Sequence, residues 1–172
     1  MEQTVKDAIA ESIKAFKLPA YETIPDVGLY LEQVTRYIAE YLAPLNISIT
    51  GSMISNYVKK GLLDNPVKKQ YNREQIAYLI FITVAKTVLS LEDLLLFIGL
   101  QKKTYTAKKA YEYFCEELEN VLQHVFGLKE SLDEVGIDNT DEKIMLRNTI
   151  ITVAHKIYLD KCFAALQAQK HE

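Results

Sequence analysis

Apolar residues recur at every third or fourth position through most of this chain, a period that fits one face of an α-helix and not a strand. Val5, Ile9, Ile13 and Phe16 make the first such stripe, which ends before Pro19. The stretch "KLPAYETIPDVG" holds two prolines and a glycine and reads as a connector. A second helix is expected from about Asp26, with Leu31, Val34, Ile38, Leu42 and Leu45 in period, and Pro44 disfavours its continuation. A turn at Asn46-Ile47-Ser48 then leads to Thr50, placed as an N-cap whose hydroxyl accepts from a free backbone N–H one turn in. Ile54, Tyr57 and Val58 give the short helix that follows an inner face. Gly61 closes it, since glycine enters the left-handed region without a Cβ clash, and Leu62 and Leu63 fold back on the core.

Beyond a small loop or ribbon at "DNPVKKQY", Asn72 and Gln75 form a capping box for a helix carrying Ile76, Leu79, Ile80 and Val84 inward. Ser90 caps another, with Asp93 at its third position and Leu91, Leu94, Leu95 and Ile98 running on to Gly99. Two longer helices are expected at about 106–126 and 141–168. Phe114, Leu118, Val121, Leu122 and Val125 face inward in the first, and Ile144, Ile151, Ala154, Tyr158 and Phe163 in the second. Only six glycines and four prolines punctuate 172 residues, too few for a chain of many strands and turns. The fold class expected is all-α. Its parts are an N-terminal helix and connector (1–25), a helix-turn-helix domain with a short wing (26–100), and a C-terminal helical hairpin or bundle for dimerisation or effector binding (101–172).

The same residues exclude several functions. Cys115 and Cys162 are too few and too isolated for a disulfide framework or a zinc site. His124 and His155 sit within helical patterns and His171 at the tail. His155 and Cys162 share a face, yet two candidates do not make a metal site. There is no Gly-rich phosphate loop, nucleophile elbow or pair of catalytic acids, so no enzyme and no cofactor are expected. The N-terminal segment is charged and no apolar run reaches membrane-spanning length, so the expected location is the cytoplasm.

Charge is what points to a partner. The chain carries a formal net charge of −3, but its positive side chains gather in the middle third. Residues 50–76 hold Lys59, Lys60, Lys68, Lys69 and Arg73 against Asp64 and Glu74, and residues 101–109 hold Lys102, Lys103, Lys108 and Lys109 without an acid. Local fields matter more than the total for a polyanion. The short helix offers Ser52, Ser55, Asn56 and Lys59 on its outer face, groups able to bond base edges or phosphates, with Lys60 beside them. Lys68, Lys69, Gln70 and Arg73 lie where a wing would meet neighbouring phosphates. The partner expected is double-stranded DNA. One short helix makes few base contacts, so a homodimer is expected too.

These residues also carry a resemblance. "TGSMISNYVKKGLL", "KKQYNREQIAYLIFI" and "VLSLEDLLLFI" resemble the DNA-binding domain of MerR-type transcriptional regulators. Thr50, Ile54, Tyr57, Lys60, Gly61, Leu62, Leu63, Tyr71, Ile76, Leu79, Leu89, Ser90, Leu91, Glu92 and Leu94 fall on matching positions. The whole chain also resembles a family of bacterial proteins of unassigned role that carry this motif. The resemblance implies a recognition helix, a wing and transcriptional regulation. The family's Arg-Tyr-Tyr is here Ser55-Asn56-Tyr57, its wing Gly-Tyr-Arg is missing, and Gly99 stands where a long coiled-coil helix would run. Two other readings are a helical protein-interaction module, which predicts an apolar patch around Ser55–Lys69, and a small-molecule sensor. The sensor predicts an aromatic-lined effector cavity in the C-terminal half, where Tyr105, Tyr111 and Tyr113 cluster.

Overall fold

Thr50, Asn72, Ser90, Thr106 and Thr140 each stand one residue ahead of a helix, and each side-chain oxygen accepts from the backbone N–H three residues on. These caps satisfy donors that the first turn leaves without an intrahelical partner. A computed structural model describes residues 2–136 and 139–169. Among them the chain forms α1 (Gln3–Glu11), β1 (Leu29–Tyr30), α2 (Leu31–Leu42), α3 (Gly51–Lys59), β2 (Gln70–Tyr71), α4 (Arg73–Ala85), α5 (Leu91–Thr104), α6 (Ala107–Val125) and α7 (Asp141–Ala168). The protein is mostly helical, as expected, with one two-stranded ribbon. His171 lies outside the described residues.

Helix α4 is the beam of the structure. Nine of its thirteen residues are buried, so it is apolar on every side. It packs against α2 on one flank and against α6 and α7 on another. Phe81 of α4 meets Phe114 of α6 edge to face at 5.3 Å and Phe97 of α5 at 5.8 Å. One continuous core runs from Ile9 in α1 to Cys162 in α7, crossing residues 25/26 and 100/101. No described helix is long and apolar enough to cross a membrane.

The connector is fastened at Glu22. Its carboxylate pairs with Arg73 at the start of α4 and with Lys108 at the start of α6, and the hydrogen bond and charge of Lys108 lower its pKa. The Arg73 guanidinium also donates to the Ile24 carbonyl at 2.9 Å and to the Glu22 carbonyl at 3.3 Å.

Four sequence expectations need correction. The helix expected from about Asp26 begins at Leu31, because Leu29 and Tyr30 are strand β1, paired antiparallel with Tyr71 and Gln70. Gly99 does not end α5, which continues to Thr104. A glycine inside a helix costs about 1 kcal/mol relative to alanine but does not by itself terminate one. Leu95, in the apolar run expected for that helix, is exposed. On α7 the bounds fall as expected but the buried stripe is Leu146, Ile150, Val153, Ala154, Ile157 and Cys162. Ile144 and Phe163, expected inward, are 50% and 58% exposed.

Candidate nucleic-acid interface

The short helix α3 is built to present one polar face. Its N-cap Thr50 accepts from the Met53 N–H at 3.3 Å, and Ile54 and Tyr57 are fully buried beneath it. Its C-terminus is a Schellman motif. Gly61 adopts a φ of 80°, its N–H donates to the Val58 carbonyl at 3.0 Å, and the Leu62 N–H reaches back to the Tyr57 carbonyl at 3.0 Å. That turn drives Leu62 and Leu63 into the core, leaving Lys59 and Lys60 at the rim. Ser52, Ser55, Asn56, Lys59 and Lys60 are all exposed, and α3 contains no acidic residue. At 1.5 Å per residue the helix is about 13 Å long, short enough to lie in a DNA major groove.

The turn before α3 depends on Asn46, whose φ of 58° suits a residue that visits the left-handed region readily. It lays the start of α3 on the start of α2. A Cβ placed on Gly51 would touch Leu31 at 3.4 Å and Thr35 at 3.9 Å, so a larger residue would press on α2. An open groove of about 520 Å³ runs between the two helices, lined by Glu32, Thr35 and Arg36 of α2 and by Ser52 and Ser55 of α3. Arg36 is thus a basic neighbour of the polar face that charge counting by segment overlooked. Its signal was the polar row 32, 35 and 36 on the side of α2 opposite Val34 and Ile38.

The ribbon, α2 and α3 make up a head, in which the ribbon stands beside the start of α2, where α3 also begins. Leu31 follows directly on β1, and β1 holds β2 through Leu29↔Tyr71 and Tyr30↔Gln70. The chain reaches β2 through a two-residue turn in which the Gln70 N–H donates to the Val67 carbonyl at 2.9 Å. Its central residues, Lys68 and Lys69, have φ of 51° and 64°. This is type I′ geometry, which favours Asn-Gly and costs a side-chain-bearing residue roughly 1–2 kcal/mol at each position. Two exposed lysines are held in the left-handed region, which residues with a side chain seldom adopt. Gln70, half-buried, packs over Gly28, whose φ of 77° lets the connector pass beneath it. Paired residues project to one side of a ribbon, so Tyr30, Gln70 and Val67 form a row. Tyr30 is 53% and Val67 73% exposed. Sequence reasoning missed this row because it placed Tyr30 inside a helix.

Of the nine expected contact residues, Ser52, Ser55, Asn56, Lys59 and Lys60 on α3 and Lys68 and Lys69 in the ribbon turn are exposed, and Gln70 is half-buried. Arg73 does not join them. Its guanidinium is turned toward the connector and bonded there, so it fastens the fold instead of meeting a ligand. The second basic run has partners of its own. Lys108 is paired with Glu22, and Lys102 and Lys109 stand over the rings of Tyr78 and Tyr105 at 4.9 and 5.0 Å. Among the described residues no three His, Cys, Asp or Glu side chains converge as metal ligands would.

No curated protein matches the chain, and no solved structure matches it. A family model matches residues 19–114, more than half of the chain, from the connector ahead of β1 to Phe114 in α6, and the chain therefore belongs to the family described as Domain of unknown function (DUF1836).

Proposed function

We propose that this protein binds double-stranded DNA in a sequence-dependent way, as a transcriptional regulator with a MerR-like winged helix-turn-helix. In this reading α2 and α3 are the helix-turn-helix, α3 enters the major groove, and the β1–β2 ribbon with its Lys68-Lys69 turn is the wing. The observation that carries it is the acid-free exposed face of Ser52, Ser55, Asn56 and Lys59, set at the same end of the head as two exposed lysines in a strained turn. Strained backbone kept at a basic tip fits a phosphate contact better than idle surface. Ser55 and Asn56 would read base edges, and Lys59, Lys60, Lys68 and Lys69 would hold phosphates.

A single nine-residue helix reads few base pairs, so the working form is a homodimer on a pseudo-palindrome. Leu159, Phe163 and Leu166 on α7 are exposed at spacings of four and three, a stripe able to meet its copy in a second chain.

Selecting bound duplexes from a random pool, followed by a salt titration of the best one, tests the function. About four phosphates per half-site give a slope of log K against log salt near −7 for a dimer. Lys68→Ala should weaken all sequences alike, and Asn56→Ala should narrow the gap between best and random sequence. A slope near zero would remove the reading.

The row of Tyr30 and Val67 favours a second reading, in which the same face docks on another protein. That complex would be insensitive to salt and would be broken by Tyr30→Ser.

A further inference from the structure

Helices α4 to α7 meet around a cavity that α3 and the ribbon do not use. Its outer part, about 210 Å³, is bounded by Phe97, Tyr105, Ala110, Tyr113 and Leu146. Through Phe97, Gln101, Ala110 and Leu146 it adjoins a deeper recess of about 30 Å³, walled by Ala77, Phe81, Ala107 and Phe114. Phe81 stands edge to face with both Phe97 and Phe114, so packed rings hold the shape of the recess.

The polar groups of the recess are turned onto the protein. The Tyr111 hydroxyl donates to the Pro19 carbonyl at 2.9 Å, and the Tyr78 hydroxyl donates to the Gln101 amide oxygen at 3.2 Å. The Gln101 amide nitrogen donates to the Tyr105 carbonyl at 3.3 Å. Water gains little in such a space, and a polar ligand would lose its hydrogen bonds to bulk water without replacement. Lys109, Glu142 and Lys143 bring charges of both signs to the outer part, so an ion of either sign would meet a like charge there. The chemistry that fits is uncharged. Size follows from volume. An apolar cavity of about 150 Å³ holds a benzene ring, so the outer part takes a single ring. The recess is about as large as the roughly 30 Å³ that one water occupies in the liquid, which is room for a methyl-sized group.

We propose that this cavity binds an uncharged one-ring aromatic compound with a small alkyl substituent, the ring against Phe97 and Leu146 and the substituent in the recess. Occupancy is measured on the full chain with no DNA present, so it holds or fails apart from the reading of α3 and the ribbon.

Isothermal titration with toluene, benzene, benzoate and benzylamine tests it. Toluene should saturate one site with a Kd of about 1 mM or tighter, and benzene should bind about fourfold more weakly for want of one methyl group. Benzoate and benzylamine, both charged at neutral pH, should each bind at least about tenfold more weakly than toluene. Ala110→Leu puts a larger side chain where the two parts join and should abolish toluene binding while circular dichroism stays unchanged. Ala107→Val narrows the recess alone and should bring toluene down to the affinity of benzene. If either variant fails to fold, intermolecular NOEs from toluene to the Ala110 and Leu146 methyl groups of the native chain decide. Failure of toluene to saturate at about 5 mM would overturn the proposal. So would benzoate or benzylamine affinity equal to that of toluene, toluene binding that survives in folded Ala110→Leu, or NOEs confined to the exposed Leu159, Phe163 and Leu166 of α7.

Discussion

Lys68 and Lys69 occupy a turn whose backbone suits Asn-Gly, and their replacement separates stability from binding. The double substitution Lys68→Asn/Lys69→Gly should raise stability by about 1 kcal/mol in urea denaturation, because it removes the cost of two left-handed lysines. If both lysines hold phosphates, the same protein should bind DNA with a salt slope about 3 to 4 shallower for a dimer. A loss of stability would show that the lysines serve the fold. Glu117 of α6 makes a second residue-level case. It is fully buried, with Arg147 Nε 3.1 Å from one carboxylate oxygen and neither oxygen accepting a well-directed hydrogen bond. Burial raises its pKa more than the Arg147 charge lowers it. The folded chain therefore holds this proton more firmly than the unfolded chain, and stability falls as pH rises from the ordinary carboxylate range through the raised value. Glu117→Gln has no such proton. Its melting temperature relative to the native protein should be higher at pH 8 than at pH 4, and a pH-independent difference would contradict the assignment. Cys115 is pushed up to about 12 by burial, so it should resist alkylation at pH 8 until the chain unfolds.

The elements that were legible in the sequence are those specified by neighbours along the chain. Thr50 and Gly61 bracket α3 through a cap and a Schellman turn, and both signals lie within a few residues of the bonds they make. Thr50→Ala should cost about 1 kcal/mol. Gly61→Ala, at φ 80°, should cost about as much although nothing crowds its Cβ, and a neutral result in thermal melts would mean that this helix end relaxes. The exposed face of Ser52, Ser55, Asn56 and Lys59 followed from the same period. What was not legible depends on distant partners. β1 is a strand only because Gln70 and Tyr71 come alongside it some forty residues later, and a two-residue strand has no pattern of its own. Arg73 looked like a wing residue because Glu22 and Ile24, which hold it, lie about fifty residues earlier. On α7, apolar residues occur on more than one side. Periodicity gave the length of that helix but could not choose between Leu146 with Ile150 and Ile144 with Phe163 as the buried row.

At the scale of the molecule the positive charge is local: residues 50–76 are net +3, whereas residues 26–100 as a whole carry seven basic and seven acidic side chains. Lys59, Lys60, Lys68 and Lys69 supply that local excess, while α6 carries four acids against two lysines and α7 three acids against four cations. If the exposed stripe on α7 forms the proposed dimer contact, one substitution on it has two readouts. Phe163→Glu should shift sedimentation to the monomer and lower the apparent DNA affinity without altering the base preference of each half-site; an unchanged dimer would exclude this surface. Helix α4 has a further consequence for anyone cutting the polypeptide. Because it serves as the shared keel of both halves, a fragment ending near residue 100 would wet Ala77 and Phe81, which α6 otherwise shelters, and should precipitate where the intact chain stays dissolved.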